Sequence, residues 1–217
     1  MLVHKALPDR IPQSLKLGVA IIAACAAVGA ASQSNATRTY GDYIAPNVSL
    51  TRMNRTAVAF ADLVEGSKPV VLEFFYTSCT TICGTQTSTL AGARKQLGTD
   101  ITFVSVTIDP EYDTPARLSG YASNFPKASN WHVLTGRKGD ITKILTAFEA
   151  RPYGDNKMLH RPLIFIRPAD GHQWVRIEGL LSSKQVAAEV GNAIAKPPPE
   201  SSTWVAFRKT LGRWVGN

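Results

Sequence analysis

At 217 residues, with 44% hydrophobic and 18% charged positions, the chain has the length of one or two domains and the composition of an ordinary globular protein, which excludes disorder and collagen. Its 24 Lys and Arg against 16 Asp and Glu give a net charge of +8, but these are spread along the chain without a long basic block, which argues against a duplex-DNA reader and predicts no nucleic-acid partner. Three Cys are too few for a disulfide scaffold, and an odd number leaves at least one thiol without a partner inside the chain.

Residues 1–16 are mixed and net positive, and residues 17–31 (LGVAIIAACAAVGAA) then run without a charge into a small, polar stretch. That order is the shape of an export signal. The apolar run is shorter than the roughly 20 residues that span a bilayer comfortably. Cleavage near residues 30–36 therefore competes with retention as a short anchor, and either outcome leaves the remainder outside the cytoplasm. Ile22-Ala23-Ala24-Cys25 is similar to a bacterial lipoprotein box, which would make Cys25 a lipidated first residue. The apolar residues after Cys25 argue instead for a small hydrophobic Cys within the run. The expected organisation is a signal peptide or N-terminal membrane anchor over 1–36, one α/β domain over 37–196, and a spacer with a tail over 197–217.

Within the domain the periodicity switches repeatedly between strand and helix. Residues 48–53 and 56–60 flank Asn54-Arg55 and read as a short N-terminal hairpin, and residues 70–76 (VVLEFFY) are a continuous apolar run typical of a strand buried on both faces. A helix follows over 84–97, then a second buried strand over 101–108. Asp113-Thr114-Pro115 opens a helix to about residue 125, with Thr or Asp as cap and Pro in the first turn. A short strand over 131–134 and a helix over 140–148 come next. Residues 163–167 and 174–178 pair as an antiparallel hairpin, and a Ser-capped helix over 182–195 closes the domain. Parallel βαβ crossovers followed by a hairpin and a final helix form a thioredoxin-like order, a central mixed sheet flanked by helices. Pro197-Pro198-Pro199 then stiffens the chain into a spacer. Beyond it Trp204, Phe207, Leu211 and Trp214 recur at helical spacing with Arg208, Lys209 and Arg213 between them, so the tail either forms a basic amphipathic helix suited to a membrane surface or packs back on the domain.

Cys79 and Cys83 lie directly after the first buried strand, at the start of the following helix. Amides and the dipole at a helix N-terminus favour thiolate over thiol, so one or both cysteines are expected to have a lowered pKa and to be nucleophilic or ready to bind metal. A disulfide across so short a loop would stabilise little by loop closure, which favours function over stapling. Three residues between the thiols, rather than two, still allow a disulfide but also let two thiolates converge on a soft ion, and thiolate with imidazole suits Cu(I). Of the four histidines, His4 lies in the leader, His132 begins the strand over 131–134, and His172 lies at the hairpin tip. His160 sits just before a central strand, in a loop that faces the cysteine loop in the thioredoxin order. It is the imidazole best placed to join Cys79 and Cys83, with a solvated loop histidine as the plain alternative. Thioredoxin-like folds often hold a cis proline where Pro162 stands, and the isomer is not legible in sequence.

These residues resemble the Sco/SenC copper-binding proteins of the thioredoxin superfamily. The strand leading into Cys79-Thr80-Thr81-Ile82-Cys83 is similar to the family's CxxxC loop, residues 104–115 (VSVTIDPEYDTP) are close to its S-x-D-P-x-x-D-T-P signature, and His160 occupies its metal-ligand position. The similarity covers residues 48–195. It implies copper as cofactor, with Cys79, Cys83 and His160 as ligands. It also implies an exported or inner-membrane-tethered periplasmic protein that delivers copper to, or reduces thiols of, the copper-site subunit of a respiratory cytochrome oxidase or another copper or thiol client.

The chain departs from the commoner loop, which has Pro after each cysteine, by carrying Thr80 and Gly84 there. Asp109, at the end of its strand, has two readings: it orients the cysteine loop or meets a partner, or it is a turn residue with Pro110. Two functions remain open. One is a metallochaperone using all three donors. The other is a thiol:disulfide oxidoreductase in which Cys79 attacks, Cys83 resolves and His160 tunes the thiol pKa. A peroxide-reducing relative is a weaker third, with no residue arguing for it.

Overall fold

A computed structural model of the chain describes residues 35–169 and 173–196, so the expected export segment with Cys25, the expected hairpin tip with His172 and the tail beyond Lys196 lie outside the described residues. The chain divides into two units, Met1–Gln33 and Ser34–Asn217, and the described residues all belong to the second. In chain order this unit contains β1 (Thr37–Gly41), β2 (Ser49–Arg52), β3 (Ala57–Ala59), α1 (Phe60–Val64), β4 (Val70–Phe75), α2 (Ile82–Leu97), β5 (Thr102–Thr107), α3 (Pro115–Ala122), β6 (Trp131–Thr135), α4 (Lys138–Ala147), β7 (Leu163–Arg167), β8 (Trp174–Glu178) and α5 (Ser183–Ala195).

The strands form one eight-stranded sheet in the order β1-β8-β7-β4-β5-β6-β2-β3. Only β4, β5 and β6 run parallel to one another, at the centre, and every other pair is antiparallel. This is the expected thioredoxin-like arrangement, extended at one edge by the β2–β3 hairpin.

All six residues of β4 are buried because helices cover both faces of the sheet. The two-residue period of a strand then sorts its side chains. Val70, Leu72 and Phe74 pack in a core with Phe60 of α1, Ile144 of α4, Phe148 and Trp174. Val71 and Phe75 pack on the opposite face with Leu90 of α2, Leu118 of α3 and Val186 and Val190 of α5. The same alternation directs Glu73 toward the α2 face. There Gly92 lets α5 approach α2 closely, since a Cβ at that position would fall 2.3 Å from Ser183 Oγ.

Several boundaries differ from the sequence pattern. β1 is unexpected because TRTYG shows no apolar alternation and is mostly exposed; it exists through its main-chain pairing with β8. Phe60 begins α1 instead of ending the hairpin strand, burying its ring in the core. α2 begins at Ile82 rather than Gly84, which draws Cys83 into its first turn. α3 has the expected Pro115 in its first turn and Thr114 as cap, accepting the Arg117 N–H at 3.4 Å, and it ends at Ala122. α5 starts with a full capping box between Ser182 and Gln185. Among the described residues no peptide bond is cis, so the bond into Pro162 is trans.

Candidate metal centre

The cysteine loop is fixed at the carboxyl end of β4. The Ile108 N–H donates to the Phe75 carbonyl at 2.8 Å, extending the β4–β5 ladder by one step, and the chain then turns so that the Cys79 N–H donates to the Tyr76 carbonyl at 3.2 Å. A fully buried carboxylate, Asp113, ties this turn to β5. It accepts the Thr77 N–H at 3.0 Å together with the hydroxyls of Thr77 and Thr107. Asp113 is thus the residue that orients the loop. Asp109 instead pairs with Lys157 and, through its carbonyl, accepts the Tyr112 and Asp113 amides as a turn residue. The DPExDTP pattern marks both aspartates, but only the three-dimensional path of the chain shows which one turns inward.

The first turn of a helix leaves amides without intrahelical partners. Thr81, the N-cap of α2, offers no side-chain cap. The Cys79 sulfur takes that role, accepting the Cys83 N–H at 3.4 Å with the Thr81 hydroxyl 3.7 Å away. Both thiols are free. Burial alone would raise the Cys79 pKa, but hydrogen bonds from the Cys83 thiol and amide and from Thr81 outweigh it and bring the group down to about 7. Burial raises the Cys83 thiol instead, and the neighbouring Cys79 adds to the effect. One cysteine therefore has the expected lowered pKa, and its partner holds its proton.

His160 follows a short 3₁₀ turn, Lys157–Leu159, which Asn156 caps by accepting the Met158 N–H at 3.0 Å. The His160 N–H closes the turn onto the Lys157 carbonyl at 3.2 Å, and the imidazole points inward, 8% exposed, edge-on to the Tyr76 ring at 6.3 Å between centroids. It is not a solvated loop histidine. Burial lowers its pKa to about 4, the Phe74 backbone offsetting part of this without reaching hydrogen-bond geometry and the Arg161 charge adding to it. Neither ring nitrogen has a hydrogen-bond partner among the described residues. A neutral imidazole with unpartnered nitrogens is a donor waiting for an acceptor.

The fold thus brings Cys79 and Cys83 into contact and holds His160 against Tyr76, the residue that leads into their loop. Among the described residues no three His, Cys, Asp or Glu side chains converge into a ready metal cage. The donor chemistry nonetheless fits a soft ion: two free thiols, one of them ionising near neutrality, and one neutral imidazole. His132 lies on β6, paired beside Val104 of β5, and takes no part.

A sequence model of the SCO1/SenC family matches residues 38–195. The chain belongs to the SCO1/SenC family. It is 32% identical over 108 residues to the SCO1 protein homolog of Bacillus subtilis, an alignment covering 46% of this chain and 56% of that protein. It therefore spans little more than half the length of that curated relative. Among solved structures it superposes with TM-score 0.52 and 25% identity on Bradyrhizobium japonicum ScoI with copper bound, covering 69% of this chain and 98% of that one. It also superposes with TM-score 0.58 and 24% identity on BsSco, a Sco-family cytochrome c oxidase assembly protein with a disulfide switch, covering 72% and 96%.

In this SCO1/SenC chain the strand before the cysteine loop holds a residue that the sequence pattern did not single out. Glu73 of β4 is fully buried and accepts hydrogen bonds from Ser105 at 2.7 Å and from Thr87 and Gln86 at 3.2 Å each. Burial raises its pKa to about 7, those three donors holding it from rising further, and its charge contributes to the raised pKa of Cys83. A lone acidic residue inside an apolar strand run was the available signal. A cavity of about 470 Å³ between α3 and β6, walled by Phe75, Tyr121, Phe125 and Trp131, reaches the Thr87 and Ser105 hydroxyls of this network, but none of Cys79, Cys83 and His160 lines it.

Proposed function

We propose that this SCO1/SenC protein binds copper through Cys79, Cys83 and His160 and serves assembly of the copper site of a respiratory cytochrome oxidase, by delivering copper to it or reducing its thiols. The reading is carried by one observation: two free thiols of opposite pKa shift are linked through Tyr76 to a buried, neutral imidazole that has no hydrogen-bond partner among the described residues. Two thiolates and an imidazole form a soft set of the kind that selects Cu(I) over harder ions. The copper-bound ScoI relative supports the same choice of metal. Copper held by Cys79, Cys83 and His160 would supply the positive charge that favours both sulfurs as thiolates. The protein's part is to keep Cys79 ionisable through the α2 amides, to hold the loop by Asp113, and to shield His160 from water and protons. We place the domain on the periplasmic side of the inner membrane, released or tethered by the segment before residue 37, a reading supported by the basic leader and the uncharged run over residues 17–31.

The asymmetry of the thiols also favours a second reading, a thiol:disulfide oxidoreductase. The Cys79 thiolate would attack a client disulfide and form a mixed disulfide. Cys83, giving up its proton, would then displace the client thiolate, leaving Cys79 and Cys83 oxidised and the client reduced by two electrons. An anaerobic Cu(I) titration of the reduced full chain beside His160→Ala separates the two. On the copper reading His160→Ala weakens Cu(I) binding, loss of either thiol abolishes tight binding, and disulfide formation between Cys79 and Cys83 survives in His160→Ala. Unchanged Cu(I) affinity with altered thiol reactivity moves the protein to the redox class.

A further inference from the structure

Met158 lies two residues before His160 in the 3₁₀ turn that Asn156 caps, and the residue is 67% exposed. An isolated exposed methionine needs no explanation of its own. The position of its sulfur does: the part-buried Tyr76 hydroxyl donates to Met158 Sδ at 3.5 Å. The same tyrosine accepts the Cys79 N–H through its carbonyl and meets the His160 ring edge-on with its own. One residue therefore links the thioether, the backbone of the cysteine loop at Cys79 and the imidazole. The three other donors are withdrawn: Cys83 is 2% and His160 8% exposed, and Cys79 is only partly open. Met158 is the most exposed of these four residues.

We propose that Met158 is an outer soft donor of the Cys79, Cys83 and His160 site, adding a neutral sulfur that favours Cu(I). The inference rests on the copper reading above. A thioether is a soft ligand suited to Cu(I), whereas zinc ordinarily takes thiolate, imidazole or carboxylate. It carries no proton to displace, so its contribution is independent of pH. Three rotatable bonds let the sulfur turn from the Tyr76 hydroxyl toward an ion without any change of backbone. The turn that buries His160 is the element that holds Met158 out, so a single capped segment supplies both an inner and an outer donor.

The test compares the full-length reduced protein with Met158→Leu, a substitution at an exposed position that preserves bulk. Cu(I) and Zn(II), each added alone, are titrated by competition with a chromophoric chelator. Carbon-13-labelled methionine methyl groups are followed in parallel, a simple spectrum because the chain holds three Met, of which Met53 lies on the cavity between α3 and β6. The expected result is a loss of about tenfold or more in Cu(I) affinity, comparable to what groups supporting a metal site are worth, with Zn(II) affinity unchanged. The Met158 methyl signal should shift on Cu(I) addition while that of Met53 stays. Unchanged Cu(I) affinity in Met158→Leu, or equal losses for both ions, overturns the inference, because equal losses report a loosened turn. Cys83→Ala distinguishes the two levels: if it retains full Cu(I) affinity the copper reading itself fails, and if it loses Cu(I) while Met158→Leu keeps it, only the role of Met158 fails.

Discussion

Glu73 and His160 make opposite demands on pH, and replacing either one should uncover the other. Glu73 ionises near 7 in the folded protein, raised first by burial, against an ordinary value of 4.5. Its stabilising contribution is present below about pH 4.5 and is lost as pH rises through 7, because the native state binds the proton more tightly than the unfolded chain. His160 is lowered by burial from 6.5 to about 4. Its contribution is present above 6.5 and is lost as pH falls toward 4, because the unfolded chain takes up the proton first. At about 1.4 kcal/mol per pH unit each effect amounts to about 3 kcal/mol over its window. The windows overlap between about 4.5 and 6.5, where the two slopes oppose and largely cancel in the unsubstituted protein. Glu73→Gln keeps the shape of the side chain and leaves no carboxyl to ionise. Its stability relative to the parent should rise by about 3 kcal/mol between pH 4.5 and 7. For His160→Gln the relative stability should rise by a similar amount as pH falls from 6.5 to 4. Urea unfolding of the reduced, metal-free protein at closely spaced pH values measures both differences. A constant offset between Glu73→Gln and the parent across the whole range would refute the argument for a buried, proton-retaining carboxyl.

Two further outcomes follow from the cysteine loop. Alkylation of the reduced protein should label Cys79 with a midpoint near pH 7 and Cys83 far more slowly, and Cys83→Ala should move the Cys79 midpoint upward by removing a hydrogen bond to its sulfur; mass-spectrometric rates at each cysteine decide this. Asp113→Ala strands the Thr77 amide and two hydroxyls, at a cost of about 3 kcal/mol, and frees the loop to change Cys79 reactivity. Asp113→Asn keeps one acceptor oxygen and should cost less, and equal unfolding midpoints for Asp113→Ala and the parent would show that the loop does not depend on this carboxylate.

Much of the fold was written in local pattern. The VVLEFF run of β4, the Thr114-Pro115 start of α3 and the Ser182 to Gln185 box of α5 each follow from burial or capping chemistry acting over a few residues. The CxxxC spacing and the later His160 likewise named the candidate donors, because their chemistry belongs to residue type. What the sequence could not express was direction. β1 exists through pairing with a strand far along the chain, and nothing in TRTYG announces it. Asp109 and Asp113 look alike in the DPExDTP run, yet one pairs with Lys157 near the surface and the other is fully buried under Thr77. Cys79 and Cys83 are chemically the same residue, and their opposite pKa shifts arise from which one caps α2 and which one lies inside its first turn. His160 became a buried neutral base while Met158, two residues before it in the same capped turn, stays exposed. Residue type is local and sets what each group is able to do. Burial, hydrogen-bond partners and the neighbours of a charge are set by segments distant in sequence, and only the tertiary structure decides them.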